Sequence, residues 1–134
     1  MIIKLFYWIS TGLICALYLF STVTYLMDLP AAQAQYMSLE YPGYLALVMA
    51  VAKLAAEVAI LTRVSAALSD LAYAGTLFHL MLAASAHLNV GDGQWPPAVA
   101  AIVLLMISFV TQNGARRKAS PYGSVPRLMG FRPQ

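Results

Sequence analysis

The sequence predicts an all-α protein, a four-helix transmembrane bundle with both termini on the same side of the membrane. Of its 134 residues, 61% are hydrophobic and only 10% are charged, whereas roughly a quarter of the residues in an average soluble domain are charged. Four apolar segments, each long enough to cross or nearly cross a bilayer, are separated by polar, Pro- and Gly-containing links. We therefore expect one compact integral membrane domain and no separate soluble domain.

The first predicted span covers about residues 5–27. A cleavable signal peptide is the alternative, with Lys4 as its basic start and residues 32–34 (Ala-Gln-Ala) as a cleavage-like motif. The apolar stretch is longer than the 7–15 residues of a signal peptide core, so we expect a retained helix. Gly12 and Ala16 form a small-xxx-small pair that would let another helix approach closely.

A polar connection, residues 28–40, is expected next, with Pro30 ending any helix that arrives there. The second span, residues 42–62, carries Lys53 and Glu57 near its middle. A charge at bilayer depth costs about 2.5–3.5 kcal/mol on insertion scales, so both side chains must face protein or water. Because they are four residues apart, they share a helix face and could neutralise each other.

The third and fourth spans are predicted over residues 71–88 and 97–112. A short turn, residues 63–70, makes the second and third spans antiparallel neighbours. The third span is rich in Ala, Gly and Ser, as centrally packed membrane helices often are. It places His79 at mid-depth and His87 near its end.

The charges divide sharply between the two sides of this bundle. One face receives Lys4, Arg63, Arg116, Arg117, Lys118, Arg127 and Arg132, and the other receives Asp28, Glu40 and Asp92. The positive-inside rule then predicts that both termini are cytoplasmic, and we expect a bacterial cytoplasmic (inner) membrane. The chain divides into a transmembrane domain, residues 1–113, and a basic Pro/Gly-rich tail, residues 114–134.

The antiparallel arrangement brings Lys53 and His79 to similar depth, so Lys53, Glu57 and His79 are predicted to form an intramembrane polar cluster. Two interpretations are open. The cluster could relay protons or hydrogen-bond a quinone carbonyl, because it offers donors and titratable groups in a dry site. It could instead be a self-neutralising network that fixes the packing of the bundle, and the sequence favours this structural interpretation.

Other candidate chemistry is limited. His79 and His87 lie about 12 Å apart along a helix axis and differ by about 80° in direction, so they cannot ligate one haem iron. His87, Asn89 and Asp92 are expected to form an interfacial polar group. The single cysteine, Cys15, lies in the first span and excludes a disulfide or CxxC site within one chain. We predict no catalytic residue, no metal site and no nucleic-acid binding.

The tail is predicted to be a docking element. Arg116, Arg117 and Lys118 follow the fourth span directly and would contact anionic lipid, at about 1 kcal/mol per basic residue. Beyond them, prolines alternate with side chains typical of protein interfaces. The candidates for partner binding are the three basic residues together with Tyr122, Arg127, Phe131 and Arg132. The partner predicted for this segment is a larger membrane protein complex.

Several short motifs, spread in order over all four spans, resemble the DoxX-like family of small four-helix membrane proteins. They are Tyr7 to Gly12 (YWISTG), Tyr41-Pro42, Ala52-Lys53-Leu54, Ala72 to Gly75 (AYAG), Phe78, Ala83-Ala84 to His87, and Gly91-Asp92. The resemblance covers about residues 4–111. In the family pattern position 57 is usually apolar and position 79 often acidic, so this chain moves the carboxylate near Lys53 from the third span onto the second.

The resemblance implies a range of functions. Members of this family include a subunit associated with thiosulfate:quinone oxidoreduction, proteins of methylamine utilisation, and assembly factors for other membrane proteins. We expect an accessory or assembly subunit that packs against a larger, energy-transducing complex and is not catalytic by itself. The alternative is a quinone-interacting membrane subunit of an oxidoreductase, with quinone as the one candidate cofactor.

Overall fold

Five helices make up the computed structural model, which describes residues 1–122. They are α1 (Ile2–Met27), α2 (Leu29–Ser38), α3 (Leu45–Thr62), α4 (Ala66–Val90) and α5 (Pro96–Ala115). Four of them, α1, α3, α4 and α5, are long and apolar enough to cross a membrane. No strand occurs within residues 1–122. The predicted all-α class with four long apolar helices is confirmed.

Helix α2 was not expected, because the sequence predicts an irregular connection between the first two spans. Asp28 caps this helix, since its carboxylate accepts a hydrogen bond from the Ala31 backbone N–H at 3.0 Å. Pro30 lies in the first turn, where its missing N–H and fixed φ are tolerated. Pro30, which would be unfavourable in the interior of α1, is thus accommodated in the first turn of α2.

The turn between α3 and α4 is shorter than predicted, because α4 already begins at Ala66. Arg63 ends α3 in the left-handed conformation (φ 47°), which is uncommon for a residue with a side chain. Ser65 caps α4 by accepting from the Leu68 backbone N–H. Three residues, 63–65, thus reverse the chain and make α3 and α4 antiparallel neighbours.

The four long helices pack in a ring: α1 lies against α3 and α5, and α4 lies against the same two helices. The apolar core is formed by Ile14, Tyr18, Ile60, Tyr73, Leu80, Ala101 and Leu105. Large apolar side chains such as Phe6, Phe20 and Phe78 are exposed on the outside of the bundle. An apolar exterior of this extent suits lipid and not water.

A buried hydrogen-bonded chain of three hydroxyls links α1, α4 and α5. Ser108 Oγ lies 2.6 Å from Thr11 Oγ1 and 2.6 Å from Tyr73 Oη. Thr11, Tyr73 and Ser108 are all almost completely buried. Because no water competes in the interior, these bonds fix the rotation of three helices relative to one another.

The bundle has two distinct ends. The termini face contains the N-terminus, the α3–α4 turn and the end of α5, and the α2 face contains α2 and the α4–α5 turn.

Candidate functional site

Lys53 is the charged group at the centre of the candidate site. Its side chain, on α3, is only 4% exposed. The Nζ atom donates a hydrogen bond to Ser21 Oγ on α1 at 2.9 Å and lies 4.3 Å from the centroid of the Tyr25 ring. A cation held over an aromatic ring gains about 2 kcal/mol or more when desolvated. Helix α1 therefore supplies the shelter that a charge at this depth requires.

A second polar pair lies beside Lys53 and joins α1 to α4. Tyr18 Oη and His79 Nδ1 are 2.7 Å apart, and the two rings meet edge to face. If the Tyr18 hydroxyl donates, a neutral His79 keeps its N–H on Nε2. If Nδ1–H donates, the Tyr18 hydroxyl proton is free. Each neutral tautomer of this pair therefore leaves one hydrogen-bond donor for a third group.

Both pairs line a cavity of about 280 Å³ that extends from mid-bundle to the α2 face. Its polar lining includes Tyr18, Ser21, Tyr25, Gln35, Tyr36, Tyr41, Lys53, His79 and His87. Helix α2 contributes Gln35 and Tyr36, and the Tyr36 ring packs edge to face on Tyr25. The helix that the sequence did not predict thus forms part of the cavity wall. We call this space the head cavity.

A second cavity, of about 320 Å³, lies between α3 and α4. Its lining shares four residues with the head cavity: Tyr18, Met49, Lys53 and His79. Much of the remaining lining is small and apolar and includes Ala52, Ala55, Ala56, Ala72 and Gly75. We call this space the α3–α4 slot. The two spaces meet at the Lys53 and His79 side chains.

Glu57 is buried like Lys53, but its carboxylate is placed differently. It lines neither the head cavity nor the slot, and its Oε1 atom has no hydrogen-bond partner among residues 1–122. Within residues 1–122, the ion pair closer than 4.0 Å is His87–Asp92, and Lys53–Glu57 is not one. Of the predicted cluster, Lys53 and His79 share a site, whereas Glu57 lies one helical turn away from it.

Of the three predicted interfacial residues, the structure brings His87 and Asp92 together at the α2 face, whereas Asn89 contacts Glu40 there. His87 Nδ1 lies 2.7 Å from Asp92 Oδ2, and Asn89 donates to the Glu40 carboxylate at 3.1 Å. The pKa of Asp92 is lowered, first by a hydrogen bond from the Gln94 backbone N–H and then by His87. These contacts tie the end of α4 to the α4–α5 turn and to the link after α2. His87 also lines the head cavity.

The first residues of the tail bind back onto the termini face of the bundle. Arg116 donates to the Leu61 carbonyl and lies over the Trp8 ring, 5.2 Å from its centroid. Lys118 donates to the Val64 carbonyl, and its own carbonyl accepts from Arg63 Nε at 2.7 Å. These basic side chains therefore satisfy carbonyls at the end of α3, where positive charge is favoured.

Ser120, in the tail, also contacts the termini face of the bundle. Its hydroxyl donates to Asp70 Oδ2 at 2.6 Å, and its backbone N–H donates to Asn113 Oδ1 at 2.7 Å. Gln112, fully buried, accepts from Arg63 and donates to Asp70. Arg117 and Tyr122 are exposed, while the predicted partner-binding residues Arg127, Phe131 and Arg132 lie outside the described residues.

Tyr18, Ser21 and Tyr25 belong to the site but were not predicted from the sequence. A signal was present, because their spacing of three and four residues places them on one face of α1. What the sequence lacked was the rotation of α1 against α3, which turns that face toward Lys53.

A protein-family model, that of the DoxX-like family, matches residues 9–111 of this chain. The chain belongs to the DoxX-like family. The match runs from α1 to α5, covers most of the chain, and includes Lys53, His79 and both cavities. No curated protein and no solved structure shows a significant match. The predicted resemblance is thus confirmed, and the family domain ends before the tail.

Proposed function

We propose that this DoxX-like protein is a membrane subunit that binds a quinone headgroup in the head cavity. The observation that carries the proposal is the convergence of two independent donors, Lys53 Nζ and the Tyr18–His79 pair, on one mainly apolar cavity. A quinone ring is flat and apolar and offers only acceptor oxygens. Donors in a dry cavity match that chemistry, because an unpaired buried donor is costly.

The dimensions of the cavity agree with a headgroup. Small-molecule sites usually measure about 300–1,000 Å³, and the head cavity, at about 280 Å³, suits one ring with short substituents. Its tyrosine rings provide flat surfaces for stacking. In this proposal the protein binds and orients the quinone, and the electrons come from a partner oxidoreductase.

The test is to purify the full chain in mild detergent, extract it with organic solvent and measure bound quinone. Lys53→Met removes the donor while conserving much of the side-chain volume, and we expect it to lower quinone occupancy at least about tenfold. Lys4→Met is the matched control, because Lys4 is exposed and lies outside the cavity. Equal occupancy in wild type and Lys53→Met, with both proteins folded, would refute the assignment.

A second candidate is an accessory or assembly subunit of a larger, energy-transducing membrane complex. The observation that favours it is the exposed position of Gly12 and Ala16 on the outside of α1. Within residues 1–122, no atom of a neighbouring helix lies within 4 Å of where a Gly12 Cβ would be, so the helices of the bundle do not pack on this small-residue face. Such faces allow close approach of a neighbouring helix.

Native gels in mild detergent test this candidate. A partner that packs on α1 should be lost from the Gly12→Leu variant and kept by Ala100→Leu, a similar enlargement at an exposed site on α5. Identical migration of wild type and Gly12→Leu with a stoichiometric partner would exclude this face as the contact.

Localisation is part of the same proposal: a bacterial inner membrane with both termini cytoplasmic. The clustering of Arg63, Arg116 and Lys118 at the termini face supports it. In a Cys15→Ser background, Ala119→Cys should react with an impermeant thiol reagent only from the cytoplasm and Ala34→Cys only from outside. The opposite pattern would reverse the orientation.

A further inference from the structure

The α3–α4 slot extends the head cavity sideways toward the lipid-facing surface. The two spaces have Tyr18, Met49, Lys53 and His79 in common, so a ligand bonded to Lys53 in one is adjacent to the other. Both Ala52 and Gly75, on opposite walls of the slot, are exposed on the outside of the bundle. The slot therefore leads from the buried donors to the region occupied by lipid chains.

The walls of the slot are shaped for a thin apolar chain. Residues with little or no side chain line it on both helices, and no described atom of a neighbouring helix lies within 4 Å of where a Gly75 Cβ would be. The polar groups in its lining are those near the head cavity, Tyr18, Lys53, Thr76 and His79. The outer part of the slot offers no hydrogen bond to a headgroup but much apolar surface to a hydrocarbon tail.

We propose that the slot holds the hydrocarbon tail of the ligand whose headgroup occupies the head cavity. This inference rests on the proposed function and specifies its ligand: a quinone with a prenyl side chain, drawn from the membrane. Ligand sites usually measure about 300–1,000 Å³. The head cavity, at about 280 Å³, and the slot, at about 320 Å³, both lie close to the lower end of that range, so a headgroup and tail need both. The polar head lies at Lys53 and His79, and the tail leaves between α3 and α4.

The experiment compares two quinones on the purified full chain: 2,3-dimethoxy-5-methylbenzoquinone without a side chain and the same ring with two isoprene units. Affinities are measured by quenching of intrinsic fluorescence at one detergent concentration. Wild type should bind the prenylated ring at least about tenfold more tightly, because burying even two methylene groups suffices for that factor.

Gly75→Leu and Ala52→Leu should fill the slot from opposite walls, because both residues line the slot and neither lines the head cavity. Each should reduce the preference for the prenylated ring to near unity while leaving the affinity for the unsubstituted ring within about twofold. Ala100→Leu, on α5 and outside both cavities, is the control and should keep the wild-type preference. Melting temperatures confirm that all four proteins are folded.

Two results would overturn the inference in distinguishable ways. If both slot variants bind the headgroup and keep the tail preference, the tail lies elsewhere and the slot is covered by lipid or a neighbouring helix. If wild type binds neither quinone, the proposed function itself is wrong and the inference falls with it.

Discussion

Ser108 joins two hydroxyls from other helices, and Ser108→Ala should destabilise the bundle more than its small size suggests. The substitution leaves Thr11 Oγ1 and Tyr73 Oη, both at 2.6 Å from Ser108 Oγ, without this partner. Hydrogen bonds between membrane helices contribute about 0.6 kcal/mol on average and about 1.7 kcal/mol at most. Two such bonds predict a loss of about 1–3 kcal/mol in the free energy of unfolding.

The assay is reversible unfolding in mixed detergent micelles, followed by helix content. Thr111→Val is the control on the same helix, because the Thr111 hydroxyl bonds only to carbonyls of α5, and it should cost no more than about 0.5 kcal/mol. Tyr73→Phe combined with Ser108→Ala completes a double-mutant cycle. If the two substitutions add to within about 0.3 kcal/mol, the inferred bond contributes nothing and the reasoning fails.

Three further predictions concern other polar groups. Asp70→Ala removes the acceptor of Ser120, so trypsin should cleave after Arg117 several-fold faster than in wild type; an unchanged rate would show that the tail is held by other contacts. Because the pKa of Asp92 is lowered from its usual 3.8, its carboxylate stabilises the fold at pH values above 3.8, and this contribution is lost as the pH falls through the folded-state pKa. Asp92→Asn should therefore make the melting temperature fall less steeply on acidification. The coupling energy between Lys53→Met and Glu57→Leu, measured in the free energy of unfolding, should be smaller than the roughly 3–5 kcal/mol lost when one partner of a buried ion pair is removed, because the two charged groups are not within 4.0 Å of each other. A larger coupling energy would contradict the described geometry.

The four long helices could be predicted because bilayer thickness dictates the length of an apolar span, and length is visible in a sequence. Helix α2 could not, since a ten-residue segment is marginal as an isolated helix. Its stability comes from the Asp28 cap and from packing against α1 and α3. Pro30 is compatible with the end of one helix and with the start of another, and only the tertiary structure shows that both occur here.

Part of the candidate site was also predictable from the physical properties of the bilayer. The cost of a buried charge identified Lys53 as sheltered, and antiparallel packing placed His79 at its depth. Spacing along α3 placed Glu57 on the same face as Lys53, but spacing does not determine which of several neighbours a flexible side chain meets. Ser21 and Tyr25 come from another helix, and their approach depends on helix rotation, which no single-helix pattern contains.

The contact between Lys53 and α1 has a consequence for how the protein enters the membrane. Helix α3 carries two ionisable residues near its middle, each costing about 2.5–3.5 kcal/mol on insertion scales. During synthesis α1 emerges first and brings Ser21 and Tyr25, the groups that surround the Lys53 ammonium. We therefore expect α3 to insert more readily when α1 is already in place. In that case the first helix would act in biogenesis as an intramolecular chaperone for the second membrane-spanning helix.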